Sequence, residues 1–181
     1  MLIDLSHPVI AHDDIGTRLV APFHRDAGRA DLAGVPLERL VNVSIVMVRA
    51  YGVGAVTPER FGDPGLLWGR AVLVYTGWAR RWGTAAYREP GRPCLTAAAI
   101  GLLVGANVAI VGIDAGVVVD PAGPGEGALL GADIPILEHL TNLHLVPDTG
   151  ARLTTLPPPI RGAAAAWVRP VAVLPAWDGG V

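Results

Sequence analysis

Three side chains of this sequence have the chemistry of a catalytic site. His24 could act as a general acid or base, because imidazole gains and loses protons near neutral pH. Arg18 could hold a carboxylate or an oxyanion with its planar fork of N–H donors, or it could pair with Asp14. Glu138 lies in an apolar run, so it is expected to be partly buried with a partner such as Arg18 or His139. We take His24, Arg18 and Glu138 as candidate catalytic residues, with a packed, hydrogen-bonded His24 as the structural alternative.

Six further residues are candidates for contacts with a substrate. They are Asp14, Thr17, Phe23, Trp78, Glu126 and His139. Glu126 could form a carboxylate pair with Glu138 that acts as acid or base, or it could be a solvated loop residue. Trp78 could line an apolar pocket with Trp82 and Tyr87, or all three could belong to the core or to a dimer interface.

The remaining histidines and aspartates do not predict a metal site. They are His7, His12, His139, His144, Asp13, Asp14 and Asp114. Their spacing matches no ligand signature such as His-Glu-x-x-His, so we assign no metal ligands. Asp114 is expected to brace its loop through backbone hydrogen bonds.

The elements that must position these residues alternate between strand and helix. Residues 41–48 and 71–75 are β-branched apolar runs of strand length, bounded by Gly or Pro, and predict central strands. Thr96 is placed to cap a helix that Gly105-Ala106-Asn107 ends. The other predicted segments are a strand over 108–113, a loop over 114–130, strand-like runs at 2–5, 134–137 and 153–157, and a last strand over 164–174 with Pro170 at an edge or bulge.

Composition restricts the class of protein. The length of 181 residues, 51% of them hydrophobic and 17% charged, predicts one compact domain, which we place over 1–177 with a tail over 178–181. The order of helix and strand described above predicts that this domain is α/β. The net charge of -2 and the absence of a basic run argue against nucleic acid as a partner. Glycines interrupt the longest apolar stretch, so no membrane span is predicted. A single cysteine and the lack of a signal peptide predict a cytoplasmic protein.

Several segments resemble one known family. They are Asp4-Leu5-Ser6-His7-Pro8, the stretch from Ile15-Gly16-Thr17 to Pro22-Phe23-His24, Val111-Gly112-Ile113-Asp114, the run 129–140, and Pro170-Val171-Ala172-Val173. In order and spacing they resemble the cyclase/kynurenine formamidase family, which includes isatin hydrolases. The resemblance covers nearly the whole chain. It implies the family's swivelling β/β/α fold, with a mixed central sheet, flanking helices and a homodimer or higher homo-oligomer.

The family's metal ligands are mostly replaced. Its motif has two histidines and an aspartate that bind a divalent metal, and these positions hold Asp14, Arg18 and Val20. The family's proton-transferring histidine corresponds to His24, and its later ligands correspond to Glu126 and Glu138. A guanidinium repels a dication and valine has no lone pair, so we predict no metal cofactor.

The resemblance implies an enzyme that acts on a small molecule. We expect metal-independent cyclisation, dehydration or hydrolysis in secondary metabolism, with His24 as acid/base and Arg18 or Glu138 stabilising charge. One alternative is hydrolysis of an aryl formamide or a cyclic amide by a metal-bound water, with a site rebuilt from Asp14, His24, Glu126, Glu138 and His139. Another is a non-catalytic binding protein or pseudoenzyme.

Overall fold

A nine-stranded mixed sheet is the centre of the computed structural model, which describes residues 1–9, 15–116 and 125–175, with the backbone alone for residues 125 and 126. The strands are β1 (Leu2–Asp4), β2 (Arg18–Val20), β3 (Val43–Arg49), β4 (Ala55–Val56), β5 (Ala71–Tyr75), β6 (Cys94–Leu95), β7 (Ile110–Ile113), β8 (Ile136–Glu138), β9 (Arg152–Thr154), β10 (Ala165–Trp167) and β11 (Val171–Val173). The α-helices are α1 (Ala97–Gly105) and α2 (Gly125–Gly131). Short 3₁₀ helices cover Pro22–His24, Leu37–Arg39, Pro58–Phe61, Pro64–Leu66, Trp78–Arg81, Ala85–Tyr87 and Leu143–Leu145.

The strand order is β1-β11-β9-β3-β5-β7-β8-β2-β10. The four central strands β3, β5, β7 and β8 are parallel, and the outer pairs are antiparallel. Strands β4 and β6 form a separate parallel pair. The sheet curls so that its two ends approach each other, because the segment after β10 bonds to both. The Val168 amide donates to the Thr17 carbonyl at 3.0 Å, and the Leu5 amide donates to the Pro170 carbonyl at 2.9 Å.

Both faces of the sheet are covered. Adjacent strand residues point to opposite faces, so Val20 and Ile136 pack in the cluster beneath α1 and α2, whereas Leu19 and Leu137 pack in the cluster on the other face. Helix α1 begins where the sequence predicts, since the Thr96 hydroxyl accepts a hydrogen bond from the Ala99 amide at 3.2 Å. The predicted α/β class with a mixed sheet is confirmed. None of the helices in the described ranges has the length and hydrophobicity to cross a bilayer.

Two predicted segments differ from the structure. The single strand expected over 164–174 is two strands: β10 pairs with β2, whereas β11 lies between β1 and β9. Pro170 has no N–H to continue a ladder, and Arg169 turns away to pair with Asp4. The segment expected to be a loop over 114–130 contains helix α2. Its glycines have a low helix propensity, so the sequence did not predict a helix there.

Candidate active site

Arg18 and Glu138 form an ion pair across two neighbouring strands. They face each other directly in the antiparallel register of β2 and β8. The Arg18 Nε donates to Glu138 Oε2 at 2.6 Å. The Glu138 side chain is 1% exposed and that of Arg18 is 42% exposed, so the cation links a buried carboxylate to solvent. The expectation that Glu138 is buried with Arg18 as a partner is confirmed.

His139 directly follows β8, and both its backbone amide and its backbone carbonyl are hydrogen-bonded. Its φ of 57° lies in the left-handed region, which is uncommon for a residue with a Cβ. The His139 amide donates to the Ala115 carbonyl at 3.0 Å, and its carbonyl accepts from the Thr17 hydroxyl at 2.6 Å. Its ring Nδ1 lies 2.8 Å from the Tyr87 hydroxyl oxygen. These bonds fix an imidazole next to the Arg18–Glu138 pair.

A second histidine, His7, joins the same cluster. Its ring stacks on Trp82 with centroids 4.0 Å apart and planes 4° from parallel. Trp82 in turn meets Tyr87 and His139 edge-on. The His7 amide donates to the Thr17 hydroxyl at 3.0 Å, so Thr17 ties both histidines together. Among the described residues, the buried Nε2 of His7 has no hydrogen-bond partner.

Burial keeps these rings uncharged. Burial, against the opposing effect of Glu138 and together with the Arg18 and Arg92 cations, lowers the pKa of His139 to about 4. Burial, together with the neighbouring His139, lowers the pKa of His7 to about 4. Burial also raises the pKa of Tyr87. At neutral pH the cluster therefore contains two neutral imidazoles and a protonated phenol.

Asp114 braces the loop of Thr76 and Gly77 beside this cluster, whereas its sequence context predicts that it braces its own loop. Its carboxylate accepts from the Thr76 hydroxyl at 2.5 Å, from the Thr76 amide at 3.0 Å and from the Gly77 amide at 2.7 Å. Burial raises the Asp114 pKa, and the bonds from Thr76 oppose that shift. The loop continues to Trp78, whose indole N–H donates to the Tyr87 carbonyl at 3.2 Å. Asp114 thus supports the residue that bonds to His139.

The structure brings together some of the sequence-predicted site residues. Arg18, Glu138, His139 and Thr17 share one site. Trp78 is 7% exposed and lies in the core, where it reaches the site only through Tyr87.

The other predicted site residues lie elsewhere. His24 is exposed in the 3₁₀ helix after β2, with a half-buried Phe23 beside it. In the described part of the chain, no hydrogen bond or ring contact joins His24 to the Arg18 cluster. Asp14 and the Glu126 side chain lie outside the described residues.

Three members of the cluster, His7, Trp82 and Tyr87, had little support from the sequence. His7 was only one of several histidines without a ligand spacing, although it lies in the Asp4–Pro8 motif. Tyr87 and Trp82 were candidates for a pocket, with no indication of which polar group they would contact.

A cleft of about 600 Å³ opens next to His7 and Thr17, with Trp167 and Arg169 in its wall. Arg18 is not among the residues that line it.

Comparison with known proteins identifies the family. Residues 3–120 match the family model described as "Putative cyclase". The chain belongs to the cyclase family. Membership of this family supports an enzyme that hydrolyses or cyclises a small molecule. No curated protein matches the sequence.

Solved structures similar to this cyclase-family protein confirm its fold. Isatin hydrolase A from Labrenzia aggregata, bound to benzyl benzoate, has a TM-score of 0.80 at 22% identity, over 96% of this chain and 93% of that one. A "potential metal-dependent hydrolase with cyclase activity" also has a TM-score of 0.80, at 19% identity over 95% and 96% of the two chains. Isatin hydrolase A from Ralstonia solanacearum has a TM-score of 0.75 at 21% identity, over 97% and 81%. At these identities the likeness establishes the fold alone.

The described residues do not fit a family-type metal ion. The carboxylate retained at a family ligand position, Glu138, is bound by Arg18, and a guanidinium in that place repels a dication. Val20, at another ligand position, has no donor atom. Within residues 1–9, 15–116 and 125–175, no three His, Cys, Asp or Glu side chains are grouped to hold a metal.

Proposed function

We propose that this cyclase-family protein hydrolyses or cyclises a small molecule without a family-type metal ion, and that Arg18 stabilises the negative charge of the reaction. One observation carries the proposal: the Arg18 guanidinium binds the buried carboxylate of Glu138 at 2.6 Å. The sequence resemblance assigns both residues to positions that hold metal ligands in the family. A fixed cation next to a buried carboxylate can replace part of a metal ion's electrostatic effect. Arg18 is partly exposed, so a substrate can approach it.

The chemistry follows from the charges. Attack on an amide, lactam or ester carbonyl moves negative charge onto oxygen, in hydrolysis and in cyclisation alike. Arg18 would bind that oxyanion or a carboxylate product. His139 is neutral at pH 7 because its pKa is about 4, so it suits hydrogen-bond donation better than proton abstraction. His24 stays the proposed proton carrier of the sequence, but it is exposed and makes no contact with this cluster in the described residues, so it would have to act through water or through a substrate that reaches both sites.

Metal content and activity test this proposal together. Purified protein would be analysed by elemental mass spectrometry before and after chelation, then assayed with an aryl formamide, isatin, lactams and aryl esters. We expect far less than one metal ion per chain. We also expect the protein to turn over at least one of these substrates at a rate that the chelator does not change. We expect Arg18→Gln to lower kcat/KM by about 100-fold, as for the loss of an oxyanion donor. His24→Ala would test the proton carrier.

A matched control is Arg29→Gln, which breaks the Arg29–Asp133 surface pair at 2.9 Å and should leave turnover unchanged. Stoichiometric metal with activity lost on chelation would instead support the alternative, metal-dependent hydrolysis of an aryl formamide or cyclic amide. Tight ligand binding without turnover of any substrate would support the non-catalytic alternative. A homodimer, a cytoplasmic location and a role in secondary metabolism stay predictions.

A further inference from the structure

We propose that Tyr87 is a positioning residue that fixes the tautomer of His139, so that the imidazole carries its proton on Nε2. This inference rests on the proposed function for its catalytic consequence, but the tautomer itself can be measured without a substrate. The Tyr87 hydroxyl and His139 Nδ1 are 2.8 Å apart, and the two residues are 2% and 6% exposed.

The direction of this hydrogen bond follows from the needs of the phenol. A buried hydroxyl proton requires an acceptor, and His139 Nδ1 is the acceptor that the described structure places within bonding distance. If Nδ1 carried the hydrogen, it would donate to the phenol oxygen, and the buried hydroxyl proton would need a second acceptor, which the described residues do not provide. The phenol therefore donates to Nδ1, and a neutral imidazole then holds its hydrogen on Nε2. Burial favours the neutral form of both groups.

Two tryptophans, Trp78 and Trp82, hold Tyr87 in place. The Trp78 indole N–H donates to the Tyr87 carbonyl at 3.2 Å, and the loop of Trp78 is fixed by Asp114. Trp82 packs edge-on against the Tyr87 ring, with centroids 4.9 Å apart. The phenol therefore cannot follow the imidazole freely, and its position determines which nitrogen of His139 is the acceptor.

The Cε1 edge of the His139 ring, between its two nitrogens, faces a glycine. A Cβ on Gly116 would lie 2.3 Å from His139 Cε1, 3.0 Å from Nε2 and 3.2 Å from Nδ1. The absence of a side chain at Gly116 thus leaves room for the imidazole in the orientation in which Nδ1 bonds to Tyr87. With Nε2 protonated, His139 can offer a neutral N–H donor to a developing oxyanion beside Arg18, without adding a second positive charge.

Nitrogen NMR of histidine-labelled protein tests the tautomer directly. Long-range proton–nitrogen spectra distinguish Nδ1–H from Nε2–H, and the His139 signals are assigned by their absence in His139→Gln. We expect Nε2–H in the wild-type protein, and a shift towards Nδ1–H or a mixture in Tyr87→Phe. Tyr75→Phe is the matched control, because it removes a phenol hydroxyl outside the cluster, and it should leave His139 unchanged.

The result that would overturn the proposal is Nδ1–H in the wild-type protein, which needs no variant to fold, or an unchanged tautomer in folded Tyr87→Phe. With a substrate that the wild type turns over, we expect Tyr87→Phe to lower kcat by about 10- to 100-fold, as for partners that orient other functional histidines, with little change in KM. An unchanged kcat would overturn the positioning role. An Nε2–H tautomer without turnover of any substrate would remove the proposed function and leave the assignment of the tautomer standing.

Discussion

Breaking the Arg18–Glu138 pair should destabilise the fold measurably. Substituting Arg18 by Gln leaves a carboxylate that is 1% exposed without its nearest cation. Exposed ion pairs contribute roughly 0–1 kcal/mol, whereas removing one partner of a buried pair costs about 3–5 kcal/mol. Because the cation side is 42% exposed and the anion side is buried, we expect an intermediate loss of about 2 kcal/mol. In a chain of this length, that loss lowers Tm by about 4–8 °C.

A double-mutant cycle isolates the pair from other contacts of Glu138. Arg18→Gln, Glu138→Gln and the double variant would be unfolded in urea at one protein concentration. Glu138→Gln keeps the side-chain shape and releases Arg18 to solvent, so it should cost less than Arg18→Gln. The double variant should then be more stable than the sum of the single effects predicts. A coupling energy within about 0.5 kcal/mol of zero would refute the reasoning, because unconnected sites add to that extent.

Two further predictions concern the histidine cluster. The pKa values of His7 and His139 are about 4 in the folded chain and near 6.5 when unfolded, so the unfolded state binds more protons between these values. The stability that the two neutral imidazoles contribute should be fully present above about pH 6.5 and decrease as the pH falls towards 4. His7→Gln should make the free energy of unfolding fall less steeply over this range. An equally steep fall in the variant would contradict this prediction. Gly116→Ala should displace the His139 ring, which a Cβ would approach to 2.3 Å, and cost roughly 1–3 kcal/mol in urea unfolding. Gly101→Ala, where a Cβ meets open space, is the control.

Sequence reasoning found the charged pair of the site but not its neutral part. An apolar run around Glu138 indicates burial, and a buried carboxylate requires a partner, so the Arg18–Glu138 contact was within reach of the sequence. The stack of His7 on Trp82 and the bond from Tyr87 to His139 were not. These four residues lie in three separate segments, with Trp82 and Tyr87 in the same connection between β5 and β6, and no periodicity or ligand spacing links the segments. His24 had the stronger chemical signal, yet its side chain is exposed and lies apart from them.

The sequence by itself determined the central strands, the capped helix α1 and the family, because these depend on local patterns: β-branched runs, a threonine before a helix-forming stretch, and short motifs. It also predicts that a family-type metal site is not retained, since the residues that the resemblance assigns to two ligand positions, Arg18 and Val20, lack ligand chemistry. Tertiary structure alone decided which groups meet. The Arg18–Glu138 bond joins residues 120 positions apart and the Tyr87–His139 bond joins residues 52 apart. Only the curled sheet brings these segments together and removes water from them, and that burial sets the charge of both imidazoles.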